Sequence, residues 1–333
     1  RQTGTGLATR SVTFDYLDNA YQIESLERCI EDDTLVGRTD YRYNDRNLVE
    51  SIVHTDGAGA VINEYSMVYD AVDRLDFLTY GDGTADYDYY ADSQLAMVDY
   101  SDPEMPDEFY DYDPGGNRVQ SHIHGDDYDV GLDNELDSDG AYDYVYDDEG
   151  NLVRVENNTT GEAREFAWDH RNRLVSVTDY DAAATAARVI TYTYDALNRR
   201  LSREVDETPA DGVAGVTTYY ITDGDDVVAE FVVDAPEGQT DPAVRTTYLR
   251  GAGVDQLLAQ ETDGVLYWHL TDAVGTVRDV IDSTGTVADH LKVDSFGIVI
   301  ARSGPDVPNH HIFTGREYEA ETDRRTVLVV DHR

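Results

Sequence analysis

The chain has 333 residues, 40% of them hydrophobic, with 25 Tyr against 7 Phe, 3 Met and 2 Trp; that is apolar content enough for a core and excludes a disordered acidic tail. A formal charge of -44 argues against nucleic-acid or anionic-membrane partners and makes the fold depend on screening by salt or bound divalent cations. The one cysteine, Cys29, leaves no intramolecular disulfide and no cysteine metal cluster, and no run of 18 apolar residues suggests a transmembrane helix.

In chain order, the organising signal is a tyrosine-aspartate phrase. Weaker copies stand at Arg42 (RYNDRNLVE) and Asp88 (DYYADSQLA). Stronger ones read VYDAVDRL from Val68, DYDPGGNRV from Asp111, VYDDEGNLV from Val145, AWDHRNRLV from Ala167 and TYDALNRRL from Thr193. The aromatics that anchor them are read as Tyr43, Tyr69, Tyr90, Tyr112, Tyr146, Trp168 and Tyr194, with spacings of 26, 21, 22, 34, 22 and 26 residues. Self-similarity at such a period means a repeat architecture, and residues that recur in every unit serve the unit's own fold.

Residues 141–180 show how one unit is built. Tyr142, Tyr144 and Tyr146 alternate with Asp143 and Val145. After the turn, Val153 and Val155 alternate with Leu152 and Arg154; Phe166 and Trp168 then share a face, followed by Leu174, Ser176 and Thr178 against Val175 and Val177. Period-two alternation rich in Tyr, Val and Thr predicts antiparallel strands. The connecting DDEGN and DPGGN phrases are turn chemistry: Gly supplies positive φ, and Asp accepts backbone N–H groups just ahead of it. Asp70, Asp113, Asp147 and Asp195 are therefore read as turn caps rather than acids or ligands. The alanine-rich DAAATAAR run from Asp181 reads as a loop insertion. The expected object is an all-β antiparallel hairpin ribbon that must curl or pair to bury its apolar face.

Few residues invite a chemical reading. His122 and His124 could place two imidazoles on one side of a strand, but a metal needs further ligands from elsewhere. The acids of ELDSDG from Glu135, and Asp223, Asp225 and Asp226, could bind calcium weakly or form solvated loops; the EF-hand frame fails because its twelfth position is Tyr146. No nucleophile elbow, zinc-protease helix motif or phosphate-cradling loop is present. With 69 acids in the sequence, carboxylate proximity carries no information about glycosidase chemistry. The chain reads as non-enzymatic, with no catalytic, metal or cofactor-binding residue assigned and no cofactor expected.

Through residue 210 the phrases, YDALNRRLS at Tyr194 above all, resemble the YD repeats of the Rhs family, found in bacterial polymorphic toxins, wall-associated proteins and animal teneurins. The stretch from Tyr248 to Gly297 is similar to the Rhs repeat-associated core, and FTGREYEAETD, from Phe313 to Asp323, is similar to that core's closing motif. The resemblance implies a repeat array over 1–210, a core over 211–322 and an atypical tail over 323–333. It also implies a β-ribbon spiralling into part of a hollow shell, which in the family encloses a C-terminal toxin passenger or presents a large extracellular surface. His269 falls where the family also has histidine and is read as serving the core's fold. After Asp323 the chain reads RRTVLVVDHR, without the family's usual continuation or the aspartyl self-cleavage motif of some members. Together with an opening at Arg1 inside repeat-like sequence, this leads us to expect a fragment, or a copy degenerate or frame-disrupted at its C-terminal end.

The leading expectation is a structural scaffold segment of an exported or cell-surface protein, with a toxin passenger in the parent as a further reading. The alternative is a carbohydrate-binding or adhesion module that stacks sugars on exposed tyrosines. No nucleic-acid partner is expected.

Overall fold

Alternation along the chain becomes strands almost everywhere. In the strand Val61–Tyr69, Asn63, Tyr65 and Met67 turn inward, while Val61, Glu64, Ser66 and Val68 face outward. The computed structural model describes residues 2–4, 7–18, 21–233, 243–253 and 255–318. Among these, the only helical elements are three single turns of 3-10 helix. Strands pair antiparallel with their neighbours in sequence, as the hairpin reading requires, with one break between Arg118–Ser121, which ends an 11-stranded sheet, and Asp129–Val130, which begins a 16-stranded one. No helix among the described residues is long and apolar enough to cross a membrane.

The turns follow one design. Asp147 Oδ1 accepts the N–H groups of Glu149 and Asn151, at 3.1 and 2.8 Å. Asp70, Asp169, Asp181 and Asp195 do the same for the residues two and four places on, and Asp113 caps Asn117. The fourth residue of each turn has positive φ, which Gly116 and Gly150 adopt freely and Asn172 and Asn198 tolerate. The carboxyls of Asp70, Asp113, Asp147, Asp169 and Asp195 sit below the usual aspartate range; for Asp147 the side-chain amide of Asn151 is the main cause, and for Asp169 the Arg173 guanidinium lowers it to about 2. The turn-cap reading holds at Asp70, Asp113, Asp147 and Asp195.

Three local expectations change. The run at Asp181 is no insertion: Asp181–Thr185 is another capped turn, and Ala186–Tyr194 is a strand. The faces assigned after each turn are shifted, because Tyr146 pairs with Leu152 while Val145 pairs with Arg154. This leaves Val153 as a one-residue bulge. Leu152 and Val155 are consequently both buried, and the same bulge buries Leu174 with Val177. His122 and His124 are not on a strand: Arg118–Ser121 ends before them, and they ride a turn closed by pairing between Ser121 and Gly125.

The chain divides into two compact units. One takes Arg1–Ser93, Val98–Pro106 and Thr246–Arg333; the other takes Gln94–Met97 and Asp107–Arg245. The second unit's core comes from consecutive strands: Tyr144, Leu152, Val155, Phe166, Leu174, Val177, Ile190 and Tyr192. The first unit's central core is not local. Val36, with Val12, Ile30 and Ile62 beside it, packs on Ala259, Leu266, Trp268, Leu270 and Ile281. Two ribbons distant in sequence therefore share one interior.

Candidate functional site: a polar seam between two ribbons

The repeat phrase is first a joinery device. The Tyr194 hydroxyl donates to the carbonyl of Leu174 at 2.7 Å, Tyr69 to Val49 at 2.7 Å, Tyr43 to Ile23 at 3.0 Å and Tyr89 to Leu75 at 2.9 Å; Trp168 Nε1 donates to Leu152 at 2.8 Å. Each acceptor is the first strand residue after the preceding turn. In the weak copy at Asp88 the anchor is thus Tyr89, not Tyr90, which stands where other phrases have aspartate. The basic residue after the turn extends the link. Arg173 binds Asp169, reaches the Asp195 carbonyl of the next turn and lies over the Tyr194 ring, and Arg74 does likewise with Asp70, the Tyr90 carbonyl and the Tyr89 ring. The exposed tyrosines among the described residues, Tyr16, Tyr21, Tyr90 and Tyr219, are scattered over different strands and turns.

Within the first unit, polar side chains from the early strands meet the late strands in the same order along the chain. Arg10, 1% exposed, donates to Thr247 Oγ1 at 2.8 Å and to Glu261 at 3.3 Å. Arg28 donates to Thr39 Oγ1 at 2.8 Å and to the His269 carbonyl at 3.1 Å. Next comes His54, whose Nε2 lies 3.1 Å from the Thr271 carbonyl and whose Nδ1 lies 2.8 Å from Thr39 Oγ1. A carbonyl only accepts, so Nε2 carries the proton and Nδ1 accepts the Thr39 hydroxyl. Asn63 donates to Asp279 at 2.7 Å. His290 bridges Asp279 at 2.7 Å and Asp82 at 2.9 Å. Lys292 ends the series at Asp102 and Glu104, 2.6 and 2.7 Å away.

Burial sets the charges along this seam. It lowers His54 and His269 to about 3, helped in both by the Arg28 charge, so both are neutral; neither ring nitrogen of His269 has a hydrogen-bond partner among the described residues. Arg28 falls to about 10 for the same reason. His290 goes the other way: hydrogen bonds to Asp279 and Asp82 raise it to about 10 against the cost of burial. With both nitrogens bound to carboxylates, its imidazolium has no lone pair for general-base chemistry. The adjoining cavity, lined by Asn63, Tyr65, Asp82, Arg278 and His290 among others, has room for about 20 Å³, one water molecule. This arrangement ties the early strands to the late ones, and the cavity beside His290 has room for a water molecule only.

The closing motif is seated on the late strands. The Val277 N–H donates to the Ile312 carbonyl at 2.9 Å, and the Thr314 N–H to Thr276 Oγ1 at 3.1 Å. Ile312 fills a core with Val277, Val280, Leu291 and Val293. Gly297, at φ +92°, makes room for Phe313: a Cβ there would lie 2.6 Å from the Phe313 ring. Residues 319–323 of the motif and the 323–333 tail lie outside the described residues.

The other candidates resolve into turns. Asp139 accepts the N–H groups of Ala141 and Tyr142 and the Tyr144 hydroxyl. Asp223 and Asp226 face each other across a hairpin end. No cluster of three or more His, Cys, Asp or Glu residues able to hold a metal occurs among the described residues. Sequence reasoning missed Asn63, Asp82, Asp102, Asp279, His290 and Lys292. One signal was available: a polar residue such as Asn63 at an inward position of an otherwise apolar alternation.

Comparison with known proteins agrees with this joinery. Residues 146–186 match the RHS repeat family model. The chain is 27% identical over 318 residues to the tRNA3(Ser)-specific nuclease WapA of Bacillus spizizenii, a match that covers 95% of this chain and 12% of that protein. It is also 27% identical to the tRNA nuclease WapA of Bacillus subtilis, spanning 13% of its length. Among solved structures, a chain of the Photorhabdus luminescens Tc holotoxin pore superposes with a TM-score of 0.53 at 14% identity, over 94% of this chain and 18% of that one. Together these matches support the Rhs family for this chain. Its fold is that of the Rhs β-ribbon, and the matched repeat begins at Tyr146, the anchor that pairs with Leu152. The chain spans about an eighth of the curated Rhs relatives it matches.

Proposed function

We propose that this chain is a non-enzymatic wall segment of an exported or cell-surface Rhs protein whose parent carries a C-terminal toxin passenger. The division into a repeat array over 1–210, a core over 211–322 and a tail over 323–333 belongs to this reading. The observation that supports it most is the seam, in which successive early strands are tied in order to successive late strands by polar groups that bond to one another. A wall needs that; a catalytic centre needs a free base, a nucleophile and a cavity, and the His290 bridge has its nitrogens engaged and one water's worth of space. The nuclease activity named for the Bacillus relatives is not carried over, and a charge of -44 opposes a nucleic-acid substrate. No observation favours the carbohydrate reading, since the anchoring aromatics spend their hydroxyl or indole N–H on the neighbouring unit. The test is to incubate the purified chain with bulk tRNA and read cleavage on a denaturing gel. Intact tRNA is expected; cleavage that follows the chain through successive purification steps would overturn the non-enzymatic reading.

A further inference from the structure

Of the 25 lysines and arginines in the sequence, Lys292 is the one lysine. Other buried acids are met by arginine or histidine, as in the Arg302–Asp289, Arg10–Glu261 and His290–Asp279 pairs. The lysine sits where two carboxylates, Asp102 and Glu104, converge on it. Lys292 Nζ is 2.6 Å from Asp102 Oδ2 and 2.7 Å from Glu104 Oε2. Asp102 is 4% exposed, and its Oδ1 accepts the Glu104 N–H at 3.0 Å. Tyr80, Tyr100, Met105, Leu291 and Val293 line the cavity beside Lys292. An amine can lose its proton and be acylated; a guanidinium does not.

We propose that Lys292 and Asp102 condense to an intramolecular amide, with Glu104 carrying the proton. Glu104 takes a proton from the ammonium, and the freed Nζ attacks the Asp102 carboxyl carbon. Oδ1, held by the Glu104 N–H, bears the developing charge, as an oxyanion donor would require. The C–Oδ2 bond then breaks. Two protons from the ammonium leave with Oδ2 as one water, the amide nitrogen keeps the third, and Glu104 is regenerated. No oxidant or cofactor enters the balance. Before reaction the two carboxylates outweigh burial and hold the ammonium charged, so the step is a slow maturation. Glu104, largely exposed, opens the route by which water departs. The product would tie residue 102 to residue 292 in a chain with no disulfide.

Because there is one lysine, the test is clean. The native chain is denatured, acetylated exhaustively and analysed by intact mass and peptide mapping. The expected result is a mass lower by one water, an unacetylated Lys292 and a cross-linked peptide containing both residues. Lys292→Arg should restore the full sequence mass, and Glu104→Gln should slow the loss of water. A wild-type chain of full mass with acetylated Lys292 after prolonged incubation would overturn the proposal, as would water loss that persists in Lys292→Arg.

Discussion

The two compact units share one turn design and differ in what covers their strands. In the second unit the core is assembled from neighbours in sequence, Tyr144 through Tyr192, and each phrase locks onto the one before it. In the first unit the same hairpins place Arg10, Arg28, His54 and Asn63 inward, where they are buried only because the late strands supply Glu261, Thr271 and Asp279. The repeat alone is sufficient for a ribbon, whereas a seam needs polar residues that make sense only in the presence of a partner more than 180 residues away.

That contrast can be broken from either side. The largest effect is expected for Asp279→Ala, which leaves the His290 imidazolium with Asp82 alone and takes the Asp279 acceptor from the Asn63 amide; removing one partner of a buried charged pair costs about 3–5 kcal/mol, read as a fall in the denaturant midpoint of the first unit's transition. Ile190→Ala should cost about 2–5 kcal/mol in the second unit and leave the seam untouched, measured by the same titration with a probe in each unit.

The pH dependence separates the units next. His54 and His269, held near 3, contribute stability that is complete above the unfolded value of 6.5 and is lost as pH falls toward 3. His290, raised to about 10, contributes stability that is complete below 6.5 and is lost as pH rises to 10. First-unit stability should therefore peak near pH 6.5 and fall on both sides, with the alkaline limb flattened in His290→Gln; thermal melts across pH would show this. The smallest effect is Tyr194→Phe, which removes one hydrogen bond worth about 1 kcal/mol and should lower second-unit stability alone.

The local half of this structure was legible in the sequence. Turn aspartates, alternating tyrosines and the hairpin ribbon follow from residue chemistry within a few positions. The bulge after each turn was not, because the phase slips by one residue between Val145 and Tyr146 with no change in composition. The alanine-rich run at Asp181 misled because its turn places Ala184 at positive φ, where glycine or asparagine is the usual signal. The seam was least legible. Asp82 and His290 lie 208 residues apart, and a side-chain pair between layers leaves no periodic trace in either strand. Tyrosine fills both positions 89 and 90, so the sequence does not separate Tyr90 from the true anchor; the Tyr89 hydroxyl bond to Leu75 distinguishes them.

Hydrogen exchange of wild type and Asp279→Ala, read by mass spectrometry, tests the seam most directly. The account predicts that peptides covering 49–69 and those covering 265–293 lose protection together, while 144–194 keeps its own. Loss confined to the late strands, with the early strands still protected, would contradict it.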